Sequence, residues 1–205
     1  MRRLVIDSAT EACSVALLDD GDMVAGNHAM LGRGHAEQLV PMIAALPGKG
    51  RADCIAVNTG PGSFTGIRVG LAAARALSLA WRVPIEGYAC LALVGAMARA
   101  AHRGAAIDVV MSGGHGEWFF QPFAADGTAL ADPASLLPEA VAARSQAPVV
   151  VGSQAEALAA RRGSQPSAHP LWPDARAFGL LGRDSLRADP VPRYGRAPDA
   201  RLPAA

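Results

Sequence analysis

The stretch from residue 54 to residue 81 constrains this chain more than any other. Cys54-Ile55-Ala56-Val57 is a short apolar run, and it leads directly into Thr59-Gly60-Pro61-Gly62-Ser63-Phe64-Thr65-Gly66. A buried strand, a glycine turn and a helix are the expected elements. Gly60, Gly62 and Gly66 permit left-handed backbone or close approach of another segment, and Pro61 stiffens the turn. The helix expected over 67–81 is almost uncharged, because Arg68 and Arg75, seven residues apart on one face, are its only ionic residues. Such a helix is either enclosed in a core or turned toward a partner.

The flanking segments set the fold class. Strands are expected at 4–6 and 14–18, and Asp20-Gly21 makes a hairpin turn into a third strand near 23–25. His35 begins a run in which Leu39, Met42, Ile43 and Leu46 recur at helical spacing, although Pro41 within it implies a kink or a later start. A strand near 83–85 and a helix over 91–101 follow the glycine helix. The resulting order, β-β-β-α-β-α-β-α, is that of the ribonuclease-H-like unit of the actin-like ATPase (ASKHA) fold, an α/β architecture on a mixed sheet. A simple alternating Rossmann order does not open with a meander.

A second region begins after His102-Arg103-Gly104. Strands at 107–111 and 117–120 flank the turn Ser112-Gly113-Gly114-His115-Gly116, with another strand at 149–151 and a helix over 154–161. Alanine and proline dominate from residue 124 onward. The expected division is a ribonuclease-H-like subdomain over 1–103 that carries the partner surface, a second, smaller or degenerate subdomain over 104–190, and a loosely ordered tail over 191–205.

Charge and reactive residues narrow the function classes. With 19 basic and 18 acidic residues the formal net charge is +1, which argues against a broad basic face for nucleic acid. Lys49, the only lysine, lies in Gly48-Lys49-Gly50 without the Ser or Thr of a phosphate-binding loop. Cys13, Cys54 and Cys90 are scattered in apolar segments and read as buried, reduced thiols, which points to the cytoplasm. The N-terminus reaches Asp7 after three apolar residues, too few for a signal peptide, and Arg75 interrupts the longest apolar helix, so no membrane span is expected. His35 has no cysteine or serine placed to work with it, His115 sits in a glycine turn, and Trp118-Phe119-Phe120 reads as a core strand. No catalytic residue and no metal site is expected.

The run from Leu4 to Leu17, LVIDSATEACSVAL, the helix opening at His35, and Gly60-Pro61-Gly62-Ser63-Phe64-Thr65-Gly66-Ile67-Arg68-Val69-Gly70 together resemble the TsaB family. Beyond residue 105 the likeness is confined to Gly116-Glu117 and Pro192-Arg193-Tyr194-Gly195-Arg196, and Ser112, Gly113 and Gly114 stand where the family often has Asp-Ala-Arg. The resemblance implies a non-catalytic, activating subunit that dimerises with its catalytic paralogue TsaD. The pair makes N6-threonylcarbamoyladenosine at position 37 of transfer RNAs reading codons that begin with A. It also implies that the ATPase TsaE joins the pair, that contact with transfer RNA is indirect or weak, and that no cofactor is held. The implied partner surface is the His35 helix with the glycine helix: His35, Leu39, Met42, Ile43, Gly66, Ile67, Arg68, Leu71, Ala74 and Arg75. Charge placed there, as in Leu71→Glu or Ala74→Glu, is expected to abolish binding and leave the fold intact. When the protein is alone, the same apolar surface is expected to allow a homodimer.

Two further expectations concern nucleotides. TsaD carries two metal-binding histidines four apart on one helix, and rough alignment puts Cys90 and Val94 at those places, which also argues against a metal endopeptidase. Asp7, Ser8 and Thr10 mark a possible vestigial nucleotide site, with Asp7 able to hold a hydrated magnesium. The alternative function is a nucleotide- or dinucleotide-binding enzyme that uses Gly60-x-Gly62, with Glu86 as the ribose-binding acid.

Overall fold

The structure, a computed structural model, describes residues 1–195. It opens with the expected meander: β1 (Arg2–Asp7), β2 (Ala12–Asp19) and β3 (Asp22–Met30) pair antiparallel in sequence. Asp20 and Gly21 take positive φ, 49° and 97°, as a tight hairpin turn requires. Helix α1 (His35–Ala44) then leads to β4 (Cys54–Asn58), α2 (Phe64–Trp81), β5 (Ile85–Tyr88) and α3 (Cys90–Ala101). The first sheet has the order β3-β2-β1-β4-β5, with β4 and β5 parallel to β1.

The second region is more complete than its composition suggests. It contains β6 (Ile107–Ser112), β7 (Trp118–Phe123), β8 (Ala134–Leu136), α4 (Pro138–Arg144), β9 (Val149–Val151), α5 (Ala155–Arg161) and β10 (Ser167–His169). Its sheet order is β10-β9-β6-β7-β8, with β6, β7 and β8 antiparallel and β9 and β10 parallel to β6. Counted from its first strand, this repeats the connectivity of the first sheet. The region is therefore a full second copy of the topology with shortened elements.

Strand alternation distributes the core into layers. Leu4, Ile6, Val15 and Val57 face α1 and α2, whereas Val5, Ala16, Leu18 and Ala56 face the opposite way. Leu93 of α3 packs on that second face of the first sheet, and Leu91, Val94 and Ala98 of the same helix pack on Ile107, Val109 and Met111 of the second. Helices α4 and α5 close the far side through Val141, Ala155 and Leu158. The layers run helix, sheet, helix, sheet, helix, with α3 as the shared middle.

Past β10 the chain returns to the first unit. A 3₁₀ turn, Ala175–Leu180, puts Ala175 and Phe178 against Val5, Ala16 and Tyr88. Residues 170–190, grouped by composition with the second region, thus belong in packing terms partly to the first sheet. The segment that follows is tied to the first unit as well: Arg187 exchanges two backbone hydrogen bonds with Gly87, and the Arg193 amide donates to the Thr59 carbonyl. Residues 196–205 lie outside the described residues.

Two helix boundaries differ from expectation. Helix α1 starts at His35 and runs on through Pro41, so the proline is accommodated rather than terminal. Helix α2 starts at Phe64, three residues earlier than periodicity indicates, because Ser63 caps it by accepting from the Gly66 amide at 3.2 Å.

Candidate functional site

Asp7 ends β1 in the centre of the first sheet, and the structure seals it there. One carboxylate oxygen accepts from Asn58 Nδ2 at 2.7 Å and from the Tyr88 hydroxyl at 2.9 Å, and the other from the Ala9 amide at 3.3 Å. Its solvent exposure is 0%. Burial pushes the carboxyl up to about 6, with the hydrogen bonds from Asn58 and Tyr88 acting in the opposite sense. Ser8 is also buried and donates to the Gly66 carbonyl at 2.8 Å, whereas Thr10 accepts from the Ala12 amide. The expected vestigial nucleotide set is therefore corrected: only Thr10 lines a cavity, and a carboxylate enclosed by Asn58, Tyr88 and Ala9 does not fit a hydrated magnesium ion.

The glycine corner is built by close approach to the chain itself. A Cβ on Gly62 would lie under 3.0 Å from the Ala9 carbonyl, and one on Gly66 equally close to the Ser8 carbonyl. The Ser63 amide donates to Ala9 at 2.7 Å across the same contact. These glycines let α2 rest on the β1–β2 turn, so the corner is a packing device. Glu86, the proposed ribose-binding acid, forms an ion pair with Arg3 at 3.1 Å.

A cleft of about 1110 Å³ lies between the two units. The first contributes Thr10, His35 and the glycine corner, the second Ser112 to His115 and Phe119, and the tail Tyr194. His35 Nε2 lies 3.3 Å from the Ala12 carbonyl, which fixes the ring at the start of α1. His115 sits in its turn at φ 57°, and Glu117 accepts from Ser135 at 2.7 Å. Among the described residues no group of three or more His, Cys, Asp or Glu side chains is placed to share a metal ion, and no helix is long and apolar enough to cross a membrane.

The partner surface needs the largest correction. Leu39, Met42, Ile43, Gly66, Ile67, Leu71 and Ala74 are all buried in the chain's own core against Leu4, Ile6, Val15 and Val57, apart from the two glycine-corner contacts already described. Their stripe faces the first sheet, because that is where an amphipathic helix gains most from burial. Of the expected set, only Arg68 and Arg75 are exposed, and His35 is half-buried. The exposed positions are Ala36, Glu37, Gln38, Val40, Pro41 and Ala44 on α1 and Phe64, Thr65, Arg68, Ala72, Arg75, Ala76, Leu79 and Ala80 on α2, with Val40 61% and Leu79 82% exposed. Apart from Glu37, Gln38, Thr65 and the two arginines, the exposed residues of the two helices are apolar and mostly small.

A family model described as TsaD, tRNA N6-adenosine threonylcarbamoyltransferase, matches residues 29–177. The chain belongs to that family. Over 96 residues, 44% of this chain, it is 41% identical to the tRNA threonylcarbamoyladenosine biosynthesis protein TsaB of Escherichia coli, and over 118 residues, 53% of this chain, it is 36% identical to the TsaB of Haemophilus influenzae. These matches span 41% and 50% of the two relatives, half their length or less. A solved Pseudomonas aeruginosa structure, described as an uncharacterized protein with similarity to peptidase YeaZ, is 27% identical with a TM-score of 0.79, covering 95% of this chain and 99% of that one. Within the TsaD family the chain therefore sits with the TsaB proteins, and it keeps their doubled ribonuclease-H-like fold.

Sequence reasoning missed Asn58, Tyr88 and the cleft. A polar residue closing an otherwise apolar strand, as Asn58 does after Val57, is the local signal that was available.

Proposed function

We propose that this family member is a non-catalytic subunit in the formation of tRNA threonylcarbamoyladenosine, and that it docks a TsaD chain on the outward faces of α1 and α2. The carrying observation is that face itself: two adjacent helices expose Val40, Ala72, Ala76 and Leu79 to solvent, with Glu37, Arg68 and Arg75 their only exposed charges. Charge-poor apolar surface of this kind marks an interaction site. The absence of chemistry in the reading is supported by Asp7, which is sealed from the cleft. The names of the TsaB relatives support the pathway, and the match to the TsaD family model is consistent with pairing to a related chain.

The test uses the full chain with the TsaD of the same organism. Ala76→Glu combined with Val40→Glu should abolish co-elution on size exclusion while leaving circular dichroism and thermal unfolding unchanged. Nucleoside analysis of transfer RNA from cells carrying the double variant should show loss of threonylcarbamoyladenosine. Undiminished co-elution with the double variant refutes the docking face.

A further inference from the structure

Arg68 lies at the edge of the α2 face, and its surroundings hold it in one orientation. Its side chain leans back toward the helix start, with Cζ 3.5 Å from the centroid of the Phe64 ring. Tyr194, delivered by the tail, stands beside Phe64 with its ring 5.6 Å from Cζ, and its hydroxyl accepts from Arg68 Nε at 3.0 Å. The two rings themselves are 5.0 Å apart. The tail is pinned there by the Arg193 amide on Thr59 and by Arg75, which donates to the Pro190 carbonyl at 3.1 Å.

This arrangement occupies only one nitrogen of the guanidinium. Among the described residues no carboxylate is bonded to Arg68, and the Nη1 and Nη2 groups have no hydrogen-bond partner. The fork lies over the first turn of α2, where the helix dipole is already positive, so two positive sources converge with no ion pair to Arg68 among the described residues. A planar, stacked fork with its outer edge open matches a carboxylate in two-point contact. The rest of the face is apolar, so an ion pair at its end would fix the register of an otherwise featureless contact.

We propose that Arg68, held by Phe64 and Tyr194, receives a carboxylate side chain of the docked TsaD chain. This rests on the docking reading above. The closing experiment is titration calorimetry of the full chain with TsaD at about 50 and 300 mM salt. Arg68→Ala should weaken binding about tenfold at low salt and remove most of the salt dependence. Arg68→Lys keeps the charge and loses the fork, and should fall between. Tyr194→Phe keeps the ring and loses the hydroxyl that orients the guanidinium, and should weaken binding a few-fold. Thermal unfolding reports whether each variant is intact. If Arg68→Ala binds like the parent, or keeps its salt dependence, the carboxylate proposal is overturned. Ala76→Glu in the same series separates the two readings: its failure to weaken binding removes the docking face as well, whereas a silent Arg68 beside a damaging Ala76→Glu removes only the ion pair.

Discussion

Replacing Gly66 by alanine sets two effects against each other, and the structure decides which wins. In the middle of an exposed helix the change favours folding by about 1 kcal/mol, since alanine has the better propensity. Here the new methyl would sit under 3.0 Å from the Ser8 carbonyl oxygen, where ordinary contact begins at 3.4 Å. The obstacle is backbone, so no side chain can rotate away. Helix α2 and the β1–β2 turn must separate, at the expense of the Ser8 hydroxyl bond to the Gly66 carbonyl, 2.8 Å, and the Ser63 amide bond to Ala9, 2.7 Å. Overpacking of a rigid contact costs roughly 3 kcal/mol and two weakened buried hydrogen bonds about 1 kcal/mol more, leaving a net loss of about 3 kcal/mol after the propensity gain. At roughly 2–4 °C per kcal/mol for a chain of this size, the melting temperature should fall by about 6–12 °C. Thermal unfolding followed by circular dichroism measures this, with Gly114→Ala as the control, because nothing lies within 4 Å of a Cβ there. A Gly66→Ala protein as stable as the parent would refute the account of the glycine corner as a packing device.

Two further outcomes follow from the same layer. Burial raises the Asp7 carboxyl from its ordinary 3.8 to about 6, so the folded state holds its proton more tightly than the unfolded chain. The associated stability is fully present below the lower value and is lost as pH rises through about 6; relative to Asp7→Asn, the parent should gain about 1 kcal/mol between pH 7 and pH 5 in urea titrations. Parallel curves for the two proteins across that window would show that Asp7 is not the titrating group. Leu71 is 2% exposed and Ala74 0%, so Leu71→Glu should lower stability by at least about 3 kcal/mol, and a folded, partner-deficient Leu71→Glu protein would contradict the burial described here.

The fold was legible because its signals are periodic. The apolar runs at Leu4 to Ile6 and Val15 to Leu18, the Asp20-Gly21 turn and the strand before Gly60 suffice to give the meander and the element order of the first unit. In the second unit β8 and β10 have three residues each, and α4, Pro138 to Arg144, is too short and alanine-rich to show a stripe, so its completeness was hidden. The face of α2 was unreadable for a related reason. Periodicity says that Ile67, Leu71 and Ala74 share a side, but when the opposite side is Ala72, Ala76 and Leu79, composition does not say which side meets the sheet. The partners of Asp7 lie 51 and 81 residues away in sequence, and only the parallel pairing of β1, β4 and β5 brings them together.

The doubled topology makes the treatment of Asp7 informative. In each unit the first strand ends in a polar residue bonded to another at or just past the end of the neighbouring parallel strand: Asp7 with Asn58 in the first, Ser112 with Ser153, two residues beyond β9, at 3.0 Å in the second. The second pair lines or borders the cleft through Ser112, whereas the first is closed off by Tyr88. Freeing the Asp7 carboxylate would require displacing the Tyr88 hydroxyl, and with it a ring that packs edge-on against Phe178 at 5.4 Å. Phe178 belongs to the returning 3₁₀ turn, so the segment that leaves the second sheet is also what locks the acid of the first. An ionisable group held this way ties the sheet together: it joins β1, β4 and β5 beside the corner from which α2 departs.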